Sequence, residues 1–426
     1  MTTIPAPGTI PGDITIVNAQ AILPDHIVSN ATIRIEHGII VSIDHSDAGS
    51  VGDNTTVLDA RHAYVLPGII DLHNDNLEHE INPRAKANLP IHFALGNMER
   101  RLAASGVTTV FHSISFQDQD AKGRSIADAR HKAAYVQKFE DDPQHGVRHH
   151  IQHRIDVRTP DSIEQALPTL LKARFGYASL NDHAPGQGQY RDVDRLIRIA
   201  HEQAEARNGQ KTDPEWYLER MRKAMADTET VPAFYRKVGE MMATTDITLA
   251  THDDDTVEKV QEQLALGATV AEFPVTFEAA RHARDNKLMI IVGAPNIVRG
   301  GSQSGNLSAI HLASRELADI ICADYHSPSL LPAAWKLVDA GVRDLPATIR
   351  MLTANPAKAL NMDDRGSLEI GKIGDIAIVR VDDQGWPHCE TTIVGGRQSF
   401  TFAGSMSSKQ DNTAIETAIA ETSGVV

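Results

Sequence analysis

Histidine and carboxylate recur in this chain at the ends of short apolar runs. His73 and Asp75 close "PGIIDLHNDNLE", and Asn181, Asp182 and His183 close "YASLNDH". "LATHDDD" ends in His252 followed by Asp253, Asp254 and Asp255, and "IICAD" ends in Asp324. Imidazole and carboxylate form the mixed donor set that zinc, manganese or iron accept, with positions left open for water. A single histidine after a strand is more often a hydrogen-bonded structural residue. Occurrence at four run ends calls for one explanation, and the expectation is a divalent metal site, zinc first with manganese or iron as alternatives, holding one or two ions.

A second group of residues suits an anion. "GAPNIVRGGSQSGN", residues 293–306, follows an apolar run and is expected to lead into a helix near Leu307. Glycine N–H groups at Gly300 and Gly301, the Asn296 amide and the forked Arg299 guanidinium are candidates for holding phosphoryl oxygens. The stretch matches neither the P-loop nor the dinucleotide fingerprint, which argues against a kinase or a dehydrogenase. Arg84 and Lys86 in "PRAKANLP", and Arg154 in "HRIDVR", are further cationic candidates. Glu272 in "AEFPVTFEAA" stands at another run end, with a helix N-terminal acid or a structural acceptor as the plainer reading. His145, His149, His150 and His153 in "HGVRHHIQH" read mainly as solvated or edge-strand histidines, although His153 and Arg154 enter the strand that points to the mouth.

Side chains at the C-terminal ends of parallel strands converge on one mouth, so the fold must supply such strands. From about residue 66 the chain alternates apolar runs with helical stretches: "GIIDL", "GVTTVFH", "HRIDVR", "YASLN", "DITLATH", "TVAEF", "LMIIVGA" and "DIICAD". Eight such runs predict a (β/α)8 barrel of the α/β class over residues 66–361, with a charged helical insert at about 190–240. Residues 1–65 and 362–403 carry β-type patterns and are expected to form one small discontinuous β-sandwich-like domain, with 404–426 as a mobile tail. The chain has 41 basic and 56 acidic residues, a net charge of −15, which disfavours nucleic acid and anionic membranes. Two cysteines without CxxC spacing, and no basic-then-apolar leader, point to a reducing cytoplasm. The expected partner is a small anionic phosphorylated substrate, and homo-oligomerisation is left open.

"LPGIIDLHNDNLE", "SLNDHAPGQ", "THDDDT", "AEFPVTFEAA", "GAPNIVRGGSQSGN" and "ADYHSPSLLPAA" occur in an order that resembles the amidohydrolase superfamily, and within it the diphosphatase family of bacterial phosphonate breakdown. The resemblance runs over roughly residues 13–403. It implies a metal-dependent barrel that releases diphosphate from the triphosphate end of a ribose methylphosphonate, in the carbon–phosphorus lyase pathway. It also implies that His73, Asp75, His183, His252 and Asp324 stand at metal-binding strand ends, with Asp324 as the catalytic proton acceptor. The chain departs from the pattern where a glutamate is expected after "HRIDVR": Thr159, Pro160 and Asp161 stand there, leaving Asp161 or another acid to replace it. His112 also stands where an acid is more familiar. An amidohydrolase acting on a C–N bond, or a barrel that has lost catalysis, remain the alternatives.

Overall fold

The structure is a computed structural model that describes residues 13–45, 55–84, 87–118, 124–140, 142, 144–159, 161–195, 197–198, 214–227, 229–302 and 305–402. Lys86, Pro160, part of the insert and the tail from 403 lie outside the described residues.

Two sheets organise the chain. The strands are β1 (Ile14–Ile22), β2 (Ile27–Glu36), β3 (Ile39–Asp44), β4 (Thr56–Asp59), β5 (Tyr64–Pro67), β6 (Ile69–Asn74), β7 (Val107–Phe116), β8 (Arg148–Asp156), β9 (Tyr177–Asn181), β10 (Thr248–His252), β11 (Val270–Glu272), β12 (Met289–Gly293), β13 (Ile320–Cys322), β14 (Ile376–Val381), β15 (Pro387–Val394) and β16 (Arg397–Thr401). Strands β6 to β13 pair in sequence order as one eight-stranded sheet, and every register in it is parallel. This is the barrel expected from the eight apolar runs. The other sheet runs β16-β15-β14-β5-β1-β2-β3, with β4 on β1, so both ends of the chain contribute to it.

Burial follows strand alternation. Ile70, Leu72, Phe111, Tyr177, Ala250, Val270, Ile291 and Ile320 fill the barrel interior. Their neighbours, such as Ile69, Val110, Leu180, Leu249 and Ile290, pack outward against the helices. Between β13 and β6 the ladder is replaced by an isolated parallel bridge, Asn74 to Asp324, at the mouth. There Asp324 N–H donates to His73 O at 2.9 Å and Asp75 N–H donates to Asp324 O at 2.8 Å.

Two expectations are corrected. His149 and His150 are buried, not solvated, because alternate positions of β8 face the helix layer and the barrel interior. The glycine-rich stretch does lead to the expected helix near Leu307, but it is not itself a continuous loop. Residues Ala294–Arg299 are already helical, started by Pro295 in the first turn, and Gly300 is the C-cap at φ 83°, a conformation glycine adopts without strain. The next helix is Ala309–Ala313.

Candidate active site at the barrel mouth

Strand ends bring His73, Asp75, His183, His252, Asp253 and Asp324 to one cavity of about 580 Å³, together with Arg154, Arg124 and Arg299. All five residues expected as metal ligands are therefore neighbours of one space. Ligand atoms of His73, Asp75 and Asp324 lie within 4.8 Å of one another, and so do those of His183, His252 and Asp253.

Glu272, fully buried at the end of β11, organises this set from below. His73 Nδ1 is 3.4 Å from Glu272 Oε1 and His252 Nδ1 is 3.1 Å from Oε2. Tyr177 donates its hydroxyl to Oε1 at 2.6 Å, and the Gln152 amide donates to the same oxygen. With both Nδ1–H groups directed at one carboxylate, the Nε2 atoms of His73 and His252 face the mouth. The two rings stack at 5.7 Å and 14°. Burial opposes ionisation of Glu272, but the charge on His73 and the hydrogen bonds from both histidines outweigh it and hold the carboxyl far below its usual range. Burial likewise opposes charge on His73, yet Glu272 and Asp75 push its pKa up to about 10.

These donors fit a divalent ion. His73 Nε2 is 3.7 Å from Asp75 Oδ1, and Asp253 Oδ2 is buried with no hydrogen-bond partner among the described residues. The elevated His73 pKa marks a place where the surrounding carboxylates stabilise positive charge. Of the three consecutive aspartates only Asp253 lines the cavity; Asp254 takes the Gln263 amide, and Asp255 pairs with Lys259 and accepts Gly188 N–H. Asp324, driven by burial and then by the Asp75 charge, has its carboxyl pushed up to about 7.

The cationic candidates separate. Arg154 is buried within the ligand set, where its guanidinium donates to Asp75 Oδ1 at 2.9 Å, to Oδ2 at 3.2 Å and to His252 Nε2 at 3.1 Å. Despite burial, Arg154 and His73 hold Asp75 well below the usual carboxylate range. Arg299 is exposed on the cavity wall. Arg84 is exposed and is not part of the lining; Arg124 is, paired with Glu78 at 2.7 Å through Nε. Sequence reading missed Arg124, which follows the apolar-poor sequence "QDQDAKG" with no apolar run to flag it.

The glycine and amide expectations change more. Gly300 N–H is engaged as the helix cap, donating to Asn296 O and Ile297 O at 3.1 Å, so it is not turned toward a ligand. Gly301 follows at the same C-terminal end, where the helix dipole disfavours an anion. Asn296 donates to Leu307 O at 3.0 Å and accepts from Ala309 N at 3.0 Å, which holds the following loop. Asp161 begins the helix Ser162–Leu170 and does not line the cavity, so it supplies no replacement carboxylate; Asp253 is the additional acid present there. Asn74 turns away from the mouth, as alternation expects, donating to Asp71 at 2.7 Å and Ser327 at 3.0 Å.

Comparison with known proteins agrees with this architecture. Residues 64–408 match the model of the amidohydrolase family. The α-D-ribose 1-methylphosphonate 5-triphosphate diphosphatase of Escherichia coli is 32% identical over 376 residues, 86% of this chain and 95% of that protein. N-acetylglucosamine-6-phosphate deacetylase from Pasteurella multocida superposes with a TM-score of 0.58 at 11% identity, covering 91% of this chain and 99% of that one. Dihydropyrimidinase from Brevibacillus agri gives 0.55 at 14% identity, covering 92% and 96%. With its parallel barrel, its strand-end donors and a family match over most of its length, the chain belongs to the amidohydrolase family.

Proposed function

We propose that this chain is a metal-dependent hydrolase of a phosphoric anhydride, releasing diphosphate from α-D-ribose 1-methylphosphonate 5-triphosphate as its Escherichia coli relative's name describes. The observation that carries the reading is the convergence of mixed histidine and carboxylate donors with Arg299 and Arg124 on one cavity. A divalent ion, when bound by His73, Asp75, His183, His252 or Asp324, supplies positive charge and makes water acidic enough to ionise near neutral pH. The chain's own groups do the rest. Glu272 fixes the imidazoles, Arg154 holds Asp75 in its ionised form, and Asp324 is placed to accept the proton of an attacking water.

A triphosphate approaching a chain of net charge −15 needs local positive charge. Arg299 supplies it at the wall, making no ion pair among the described residues. Its role is to grip phosphoryl oxygens. A charge-assisted hydrogen-bonded contact is worth about 2 kcal/mol, so Arg299→Ala should raise KM roughly thirtyfold with unchanged thermal stability. Diphosphate release from the ribose triphosphate, with His73→Ala as the inactive control, tests the activity, and an unchanged KM in Arg299→Ala removes the assigned grip.

A second reading has support from a dihydroorotase of Geobacter, 41% identical over 49 residues, 12% of this chain. It is hydrolysis of a C–N bond in a cyclic amide or nucleobase-like ring. Product analysis separates the two, because ring opening releases no diphosphate.

A further inference from the structure

A second set of imidazole and carboxylate atoms lies outside the barrel wall, away from the mouth. Glu99 comes from the helix Ile91–Ala104, His145 from the turn before β8, and His149 from the start of β8. One ligand atom of each lies within 4.8 Å of the other two. His145 Nδ1 is 2.7 Å and His149 Nε2 is 3.1 Å from the same oxygen, Glu99 Oε2. Glu99 Oε1 is held by the Gly146 N–H at 2.8 Å, which fixes the carboxylate's rotation.

The surroundings of His149 resemble those of a metal-bound imidazole. Its other nitrogen, Nδ1, meets His112 Nε2 at 2.8 Å, with the rings stacked at 5.1 Å and 8°. An outer acceptor of this kind sets which nitrogen carries the proton and leaves the opposite one for an ion. His112 is fully buried, and its Nδ1 has no hydrogen-bond partner among the described residues.

We propose that Glu99, His145 and His149 bind a divalent transition-metal ion of the zinc class, with His112 as the outer partner of His149. Two histidines and one carboxylate leave further positions for water. The site can admit it, since the Glu99 and His145 side chains are 20% and 25% exposed. His149 precedes Arg154 by five positions on β8, roughly 16 Å at ~3.3 Å per residue, so this ion does not share ligands with the mouth.

Its effect is structural. The turn that carries His145 is bound to β16 as well, because Arg397 donates to His145 O at 3.3 Å and Ser399 donates to Gly146 O at 2.5 Å. An ion here ties a barrel helix, the barrel wall and the terminal sheet at one point, at the N-terminal end of the barrel strands, where residues serve stability and not catalysis.

The test uses the full chain, stripped with a chelator, reloaded with zinc or cobalt, and assayed for bound metal after gel filtration. A mouth-silenced variant, His73→Ala with His252→Ala, is expected to keep about one equivalent and to gain several degrees in Tm on zinc addition. Adding His145→Ala or Glu99→Gln should abolish both, while Tm in chelator stays within a few degrees. The same loss of about one equivalent should separate the unaltered chain from His145→Ala, so the outcome does not depend on the mouth variant folding. Equal metal content and equal zinc response with and without His145 would overturn the site and leave only a hydrogen-bonded relay.

Discussion

Four donors meet on the Glu272 carboxylate: two imidazoles, a phenol and an amide. A glutamine there offers one acceptor oxygen and an NH2 group that opposes an Nδ1–H, so one imidazole must turn its N–H toward the mouth. Glu272→Gln is therefore expected to weaken metal binding by about 10–100-fold while the chain stays folded, read by metal titration. His153 makes a different prediction. It is fully buried between Tyr177 O at 3.2 Å and Thr169 Oγ1 at 2.9 Å, and burial lowers its pKa from 6.5 to about 4. A histidine kept neutral in the fold contributes stability that is complete above pH 6.5 and is lost as pH falls toward 4. The loss is on the order of 3 kcal/mol, and His153→Gln should flatten that limb in urea unfolding at pH 7 against pH 4. The convergence of the strand-end histidines and carboxylates on one cavity was legible because a polar residue after an apolar run announces a mouth. Neither Glu272 as a hub nor Arg154 as the partner of Asp75 was legible, since both depend on which side chains meet across the barrel axis.

Elements were easier to read than contacts. All eight barrel strands overlap the runs read from the sequence, a pattern that needs no knowledge of the partner strand. The glycine-rich stretch was misread because composition does not distinguish a loop that wraps an anion from a helix that ends in a cap, and Pro295 started the helix. His149 and His150 of β8 were misread because their burial comes from the helix layer on one face and interior aromatics such as Phe111 on the other. Strand contact also governs the next prediction. Gly68 sits immediately before β6, and a Cβ there would lie 2.8 Å from Thr108 Cβ on the adjacent strand. Gly68→Ala should separate β6 from β7 and lower stability by about 1–3 kcal/mol, measured by urea denaturation. Because His73 rides on β6, metal affinity should fall with it.

At the scale of the molecule, the two sheets are joined by buried polar contacts as well as apolar packing. Asp375, next to β14, accepts Arg148 Nη1 at 2.6 Å from the barrel and Gly395 N–H at 2.8 Å from the terminal sheet, while its carbonyl takes Gly68 N–H at 2.8 Å. Asp375→Ala leaves the half-buried Arg148 guanidinium with less compensation, which should cost about 2–3 kcal/mol. A single unfolding transition at a lower midpoint is the expected calorimetric result, since the contact spans both sheets. Among the described residues no helix is long and apolar enough to cross a membrane.

The bridge between Asn74 and Asp324 makes the barrel a split ring with its clasp at one end. The backbone atoms that fasten the clasp belong to His73, Asp75 and Asp324, the same residues whose side chains face the reaction space. Opening of the ring at this bridge pulls those three apart. Amide deuterium uptake at Asp75 and Asp324 is thus a gauge of readiness for chemistry, rising whenever the ring springs open, even where the rest of the barrel stays protected.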